Sequence, residues 1–115
     1  MAYLRVSPLA VRDVTSIASY IAQDRPAASR RVGRAFYKTF GFLAKHPHVG
    51  TAREDVRAGL RLFIPEPPAD RYIVFFQYDS VSDTVEIGAV IDGSRDWENI
   101  LGDSADYKTC VGSRT

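Results

Sequence analysis

Between Arg71 and Asp96 the chain is a dense series of β-branched and aromatic positions with one interruption. Tyr72-Ile73-Val74-Phe75-Phe76 runs into Gln77-Tyr78-Asp79, Ser80-Val81-Ser82-Asp83 breaks the pattern, and Thr84 to Ile91 resumes it. Two such runs on either side of a short polar connection predict an antiparallel hairpin. In the second run Val85, Ile87, Ala89 and Ile91 alternate with Glu86, Gly88 and Val90, so one face is expected to meet a core. The first run is apolar on both faces, which predicts neighbours on both edges, helices over one face and partial solvent on the other. The expected core set under the helices is Ile73, Phe75, Ile87 and Ala89, with Ile17 and Phe40. Val74 and Phe76 are the competing set, because a one-residue shift exchanges the faces of a strand.

Upstream the period changes from two to that of a helix. Tyr3-Leu4-Arg5-Val6 is a short alternating strand ended by Ser7-Pro8, where serine can cap free N–H groups and proline suits the first helical position. Ala10, Val14, Ile17, Ala18 and Ile21 then recur at helical spacing to about Ala22. Gln23-Asp24-Arg25-Pro26 breaks that helix and starts a second, to about Lys45, with Val32, Ala35, Phe36, Thr39, Phe40 and Leu43 along one stripe. Gly33 and Gly41 each cost this helix about 1 kcal/mol relative to alanine. His46-Pro47-His48-Val49-Gly50 reads as a helix exit; its two histidines have no third ligand at a convincing spacing, so no metal is expected. Gly59 to Ile64 predicts a third strand, Pro65 to Asp70 a loop, since prolines cannot supply ladder hydrogen bonds, and Trp97 to Leu101 one helical turn stopped by Gly102. The order β-α-α-β-β-β describes an α+β fold: a helical hairpin on one face of a small, largely antiparallel sheet. Residues 1–101 read as one domain and 102–115 as a polar tail.

Composition changes this picture little, and charge changes it more. The chain is 115 residues long, 45% hydrophobic and 25% charged, which allows one core without staples. A single cysteine, Cys110, offers no intramolecular disulfide, and no window has the length or apolarity of a signal peptide or membrane span, which fits a reducing cytoplasm. The net charge of +1 hides an asymmetry: residues 1–63 carry eleven Lys or Arg against four Asp or Glu, and residues 64–115 carry four against ten. Arg30, Arg31, Arg34 and Lys38 lie mainly off the apolar stripe of the second helix, so this half either docks an acidic partner or presents an ordinary solvated helix face.

Several strings, taken in order, resemble the RelE/ParE superfamily of toxins from bacterial type II toxin–antitoxin modules, over about residues 3–101. They are Pro47 and Gly50 after the second helix, Arg53-Glu54-Asp55, Gly59-Leu60-Arg61, the Tyr72 to Phe76 strand, Val85-Glu86-Ile87, Val90-Ile91, and Gly93-Ser94-Arg95-Asp96 ahead of Leu101. The chain departs from ParE-like members in having Asp92 in place of a histidine, Phe76 in place of a tyrosine, and Gly88 or Ala89 in place of a basic residue. The resemblance is closer to the ParE branch, through the Gly93-Ser94-Arg95-Asp96 ending followed by Trp97.

The two branches imply different functions. ParE-like members resemble binding poisons of DNA gyrase, which implies Arg61, Arg95 and Trp97 as target contacts, an acidic cognate antitoxin against Arg30, Arg31, Arg34 and Lys38, and no cofactor. RelE-like members act as endonucleases on the ribosome with mRNA, which implies Arg61, Arg71, Arg95 and Tyr107 as catalytic groups. That chemistry needs a base for the 2′-hydroxyl, cations for the phosphorane and an acid for the leaving oxygen. A third implied possibility is a non-toxic module that only binds its antitoxin. Beside these stand plainer roles: Arg95 as a salt bridge to Asp92 or Asp96, Arg61 as an exposed strand residue, and Tyr72, Phe75, Phe76 and Tyr78 as core instead of a stacking platform for bases.

Overall fold

The computed structural model describes residues 1–103. Its elements are β1 (Tyr3–Val6), α1 (Pro8–Ala22), α2 (Pro26–Lys45), β2 (Thr51–Ala52), β3 (Arg61–Phe63), β4 (Tyr72–Asp79), β5 (Thr84–Asp92) and α3 (Trp97–Asp103). They form an α+β fold around one five-stranded sheet in the order β1-β5-β4-β3-β2, with β1 parallel to β5 and every other pair antiparallel. Among the described residues no helix is long and apolar enough to cross a membrane.

The helical hairpin starts as its sequence dictates. Ser7 is extended, its hydroxyl accepts a hydrogen bond from the Ala10 N–H at 3.1 Å, and Pro8 occupies the first turn of α1. Pro26 opens α2 only four residues after α1 ends. Ser29 then donates its hydroxyl to the Ala18 carbonyl at 2.7 Å, tying the two helices side by side. Val32, Phe36, Phe40 and Leu43 from α2, with Ile17 partly buried on α1, pack onto the sheet.

The sheet residues that meet them are Val74, Phe76, Val85, Ile87 and Val90. The expected set was right for Ile87 but not for Ile73, Phe75 or Ala89, which face the other way and pack with Leu60, Ile91 and Leu101. The cause lies in the pairing: Phe75 sits opposite Ala89 and Phe76 opposite Ile87, so Gly88 is an extra residue in β5. A bulge reverses the phase of a strand from that point on. Val85 and Ile87 before it face the helices, whereas Ala89 and Ile91 after it do not, although all four alternate cleanly in the sequence. Helix α1 holds the bulge from both sides. The Ser7 hydroxyl donates to the Gly88 carbonyl at 2.9 Å, and the Asp13 carboxylate accepts from the Val90 N–H at 2.9 Å.

Burial pushes the Asp13 carboxyl above its ordinary value, against smaller opposing effects of the Val90 N–H and of Arg12 and Arg95. The folded state therefore holds this proton more tightly than the unfolded chain, and Asp13 contributes stability that declines as pH rises through the interval between the ordinary value and the raised one. Asp13→Asn keeps an acceptor for Val90 and is expected to abolish that part of the pH dependence. Asp13→Ala strands a buried N–H and should cost about 1–3 kcal/mol at neutral pH. Urea titrations of the three proteins at several pH values check both outcomes.

The second face of the sheet is covered instead of partly wet. Leu101 (1% exposed), Ile100 and Trp97 of α3, with Val56 and Leu60 of the 53–60 segment, close over Ile73, Phe75, Ala89 and Ile91. Helix α3 continues through Gly102 to Asp103, and the polar stretch after the helix exit supplies an additional strand, β2. Gly50, at φ +85°, lets the exit loop pass β3 so closely that a Cβ there would lie 2.3 Å from the Leu62 carbonyl oxygen. No other residue type fits that position.

Candidate functional site

Helices α1 and α2 cover only part of the sheet. On the β3 side of α2 a groove of about 420 Å³ remains between the helix and the proline-rich loop. Its helix wall is Arg31, Arg34, Ala35, Lys38, Thr39 and Phe42; Phe63 of β3 lies beneath, and Glu66, Pro67 and Pro68 form the far wall. The wall residues recur at three- and four-residue spacing because they share one flank of α2, beside the core stripe. At one end Phe42 packs on Phe63 and on His46, with ring centroids 5.5 and 4.6 Å apart. Arginine dominates the other end. The groove is thus apolar inside, basic on its helix rim and aromatic at the C-terminal end of α2. Helix α2 itself carries Arg30, Arg31, Arg34, Lys38 and Lys45 and no acidic residue.

Three of the four residues expected to bind an antitoxin, Arg31, Arg34 and Lys38, line this groove, while Arg30 is exposed on α2 outside its lining. Sequence reasoning missed Phe42, Phe63, Glu66, Pro67 and Pro68. The available signal was Phe42 itself, an aromatic residue off the apolar stripe and on the arginine flank.

The residues expected at a target or catalytic site are not gathered together. Arg61, the first residue of β3, is not a free strand residue. Its guanidinium donates to the carbonyls of Val49, His48 and Gly50 at 3.1, 2.6 and 3.4 Å, and so clamps the exit of α2 over the sheet. Under that clamp the His48 ring stands edge-on to Tyr78 at 5.3 Å, and Tyr78 donates its hydroxyl to Asp83 at 2.7 Å. That bond raises the Tyr78 phenol above its ordinary value. Arg71 lies at the other end of β4, paired with Asp92 at 2.8 Å. Asp92 also accepts from the N–H and hydroxyl of Ser94, and these bonds, with Arg71 behind them, hold its carboxyl below the ordinary range.

Arg95 is exposed, and both carboxylates proposed as its partners are engaged elsewhere: Asp92 with Arg71, and Asp96 with the Asn99 amide at 2.7 Å. Its charge acts instead on Asp13 of α1. Tyr107 lies outside the described residues. Tyr72, Phe75 and Phe76 are buried, so they form no open platform for bases. Among the described residues no group of three or more His, Cys, Asp or Glu could hold a metal ion.

Trp97 is half-buried between the Phe75 ring at 5.1 Å and the Arg53 guanidinium, also at 5.1 Å. Arg53 bridges Asp55 and Glu98, each at 2.7 Å, which raises its own pKa and lowers that of Asp55. Arg57 donates to the carbonyls of Leu101 and Gly102 at the end of α3. A seven-residue helix has little stability of its own, so these two arginines and Leu101 hold α3 in place. Arg53→Ala is expected to shift Trp97 emission to the red and increase its quenching by acrylamide while the sheet stays folded. Unchanged emission and quenching would show that the aromatic contact suffices.

The sequence matches the family described as ParE toxin of the type II toxin–antitoxin system parDE over residues 4–97. No curated protein matches the chain. Its fold is similar to a structure from the chromosomal ParDE system of P. aeruginosa, with a TM-score of 0.66 and 15% identity, covering 80% of this chain and 96% of that one. It is also similar to a mutant of the E. coli toxin RelE in the free state, with a TM-score of 0.63 and 12% identity, covering 89% and 95% of the two chains. A third similar structure is the toxin–antitoxin complex RelBE2 from Mycobacterium tuberculosis, with a TM-score of 0.54 and 20% identity, covering 79% and 96%. These likenesses show a shared fold, and the match across 4–97 places the sequence within it: the chain belongs to the ParE toxin family of type II toxin–antitoxin systems.

Proposed function

We propose that this toxin traps DNA gyrase by surface contact, cuts no RNA, and is neutralised when an acidic antitoxin segment fills the groove beside α2. The groove supports the second part: an apolar floor under a cationic rim suits a segment that is disordered when free and gains from charge complementarity on binding. For the first part the observation with most weight is the separation of the cationic groups. Arg61 is paired with Phe76 in the sheet, and Arg71, immediately before β4, lies five residues back from Phe76, about 16 Å of extended chain. Both guanidiniums are already engaged, one with carbonyls and one with Asp92. Arginine remains protonated across the physiological range and is a poor proton carrier in any case. A contact poison needs only a shaped surface, and exposed Arg95 with the strand end around it remains available for that.

One observation favours the RelE-like reading. The exit loop folds back over the sheet and brings His48 to the same end as Arg61 and Tyr78, so a proton carrier and a cation do share a neighbourhood. Expression from a controlled promoter separates the two readings. Gyrase poisoning predicts induction of the DNA-damage response, filamentation and gyrase-linked cut DNA, with mRNA intact on translating ribosomes by primer extension. Codon-phased mRNA cuts that vanish with His48→Ala or Arg61→Ala would replace the gyrase reading with the nuclease.

A further inference from the structure

Within the groove the overall basic charge has one exception. Glu66 is the single acid among the lining residues, opposite Arg31, Arg34 and Lys38. Its carboxylate stands 3.9 Å from the Lys38 ammonium, with the two side chains 77% and 80% exposed. An ion pair that open contributes little to holding the fold, and a carboxylate on the lip of a basic groove weakens the attraction for an acidic ligand. The backbone that carries it is nevertheless held firmly. Pro65, Pro67 and Pro68 restrict the chain around it, and the Ala69 N–H donates to its carbonyl at 3.0 Å, closing a turn.

Arg31, Arg34, Lys38 and Phe42 lie on successive turns of α2, so the groove wall is a lane about 16 Å long, enough for about three turns of a second helix packed alongside. Lys38 and Glu66 stand midway along this lane, between the arginine end and the Phe42–Phe63 end. Resting on the reading of the groove as the antitoxin site, we infer that Glu66 is a specificity-determining residue. It selects a helical segment with carboxylates facing Arg31 and Arg34, a lysine or arginine at the middle facing the proline loop, and apolar side chains over Phe42 and Phe63. A segment acidic along its whole length meets like charge at Glu66 and binds more weakly. Discrimination between related antitoxins then comes from the repulsive element as much as from the attractive ones.

Two synthetic amphipathic peptides of about fifteen residues, identical except for lysine or glutamate at the central position, test this by fluorescence anisotropy against the full chain. Wild type is expected to bind the lysine peptide about tenfold more tightly, and Glu66→Lys to prefer the glutamate peptide by a similar factor. The substitution is on the surface, and thermal melts confirm that the variant folds. Arg34→Glu should weaken both peptides, placing them in the groove. Equal affinities on wild type, or an unchanged preference in Glu66→Lys, with Arg34→Glu still effective, overturn the role of Glu66 and leave the groove reading standing. If Arg34→Glu has no effect, or neither peptide binds at about 1 mM, the groove is not the site and both fall.

Discussion

Phe76→Ala is expected to lower the unfolding free energy by about 3–5 kcal/mol, and Phe75→Ala by a similar amount. Both side chains are fully buried, one against α2 and the other beneath α3. In a domain whose total stability is about 5–15 kcal/mol, either loss leaves a protein close to unfolding at physiological temperature. Stability alone does not tell the two faces apart, but Trp97 does. Its ring lies 5.1 Å from that of Phe75, and Phe76 points into the other layer. Phe75→Ala should therefore change Trp97 emission in the native state before any denaturant is added, whereas Phe76→Ala should leave native emission unchanged and alter only the midpoint. A loss below about 1 kcal/mol in Phe76→Ala would remove it from the core under α2, and a native-state emission change in that variant would mean that the strand is turned over.

The existence of β4 and β5 was legible in the sequence because β-branched and aromatic runs say that a segment is extended and buried. The face was not legible, because β4 is apolar on both sides and alternation in β5 is clean across Gly88. Ser7 and Asp13, some eighty residues away in the chain, pin the bulge that reverses the phase, and no local pattern reports such a contact. The same limit explains the second layer. Ile73 and Phe75 needed a cover, and it comes from a seven-residue helix and the 53–60 segment, each unremarkable alone and joined by Arg53 and Arg57.

Single charged residues were harder still to read. Arg61 opens β3 and Arg95 follows the end of β5, and nothing local to either shows that one is spent on three carbonyls while the other is exposed. The positions at which the chain departs from the resemblance fall into place in the same way. Phe76 packs under α2, Gly88 is the bulge, and Asp92 holds Arg71 and Ser94, so the strand end is occupied by its own acid. The groove was half legible: the arginines announced a charged flank, but only the placement of β3 and the proline loop opposite turned that flank into a cavity.

Replacing Arg30, Arg31 and Arg34 together by glutamine is expected to slow association with the cognate antitoxin by roughly 10- to 100-fold at low salt, and to flatten the dependence of the association rate on salt. Glutamine is close to arginine in helix propensity, so α2 should persist. The three positions have different parts in this. Arg31 and Arg34 line the groove and touch what enters it, so each single change should also speed dissociation. Arg30 lies on the same helix outside the lining, and on the proposed reading it adds only to the field that an approaching partner meets. Arg30→Gln should therefore lower the association rate and leave dissociation unchanged, and its effect should fade above about 0.1 M salt, where charges more than about 10 Å apart are screened. Stopped-flow mixing at several salt concentrations reads both rates. A triple variant that associates as fast as wild type at low salt would remove electrostatic steering from the account, and a dissociation rate unmoved by Arg34→Gln would place the antitoxin somewhere other than the groove.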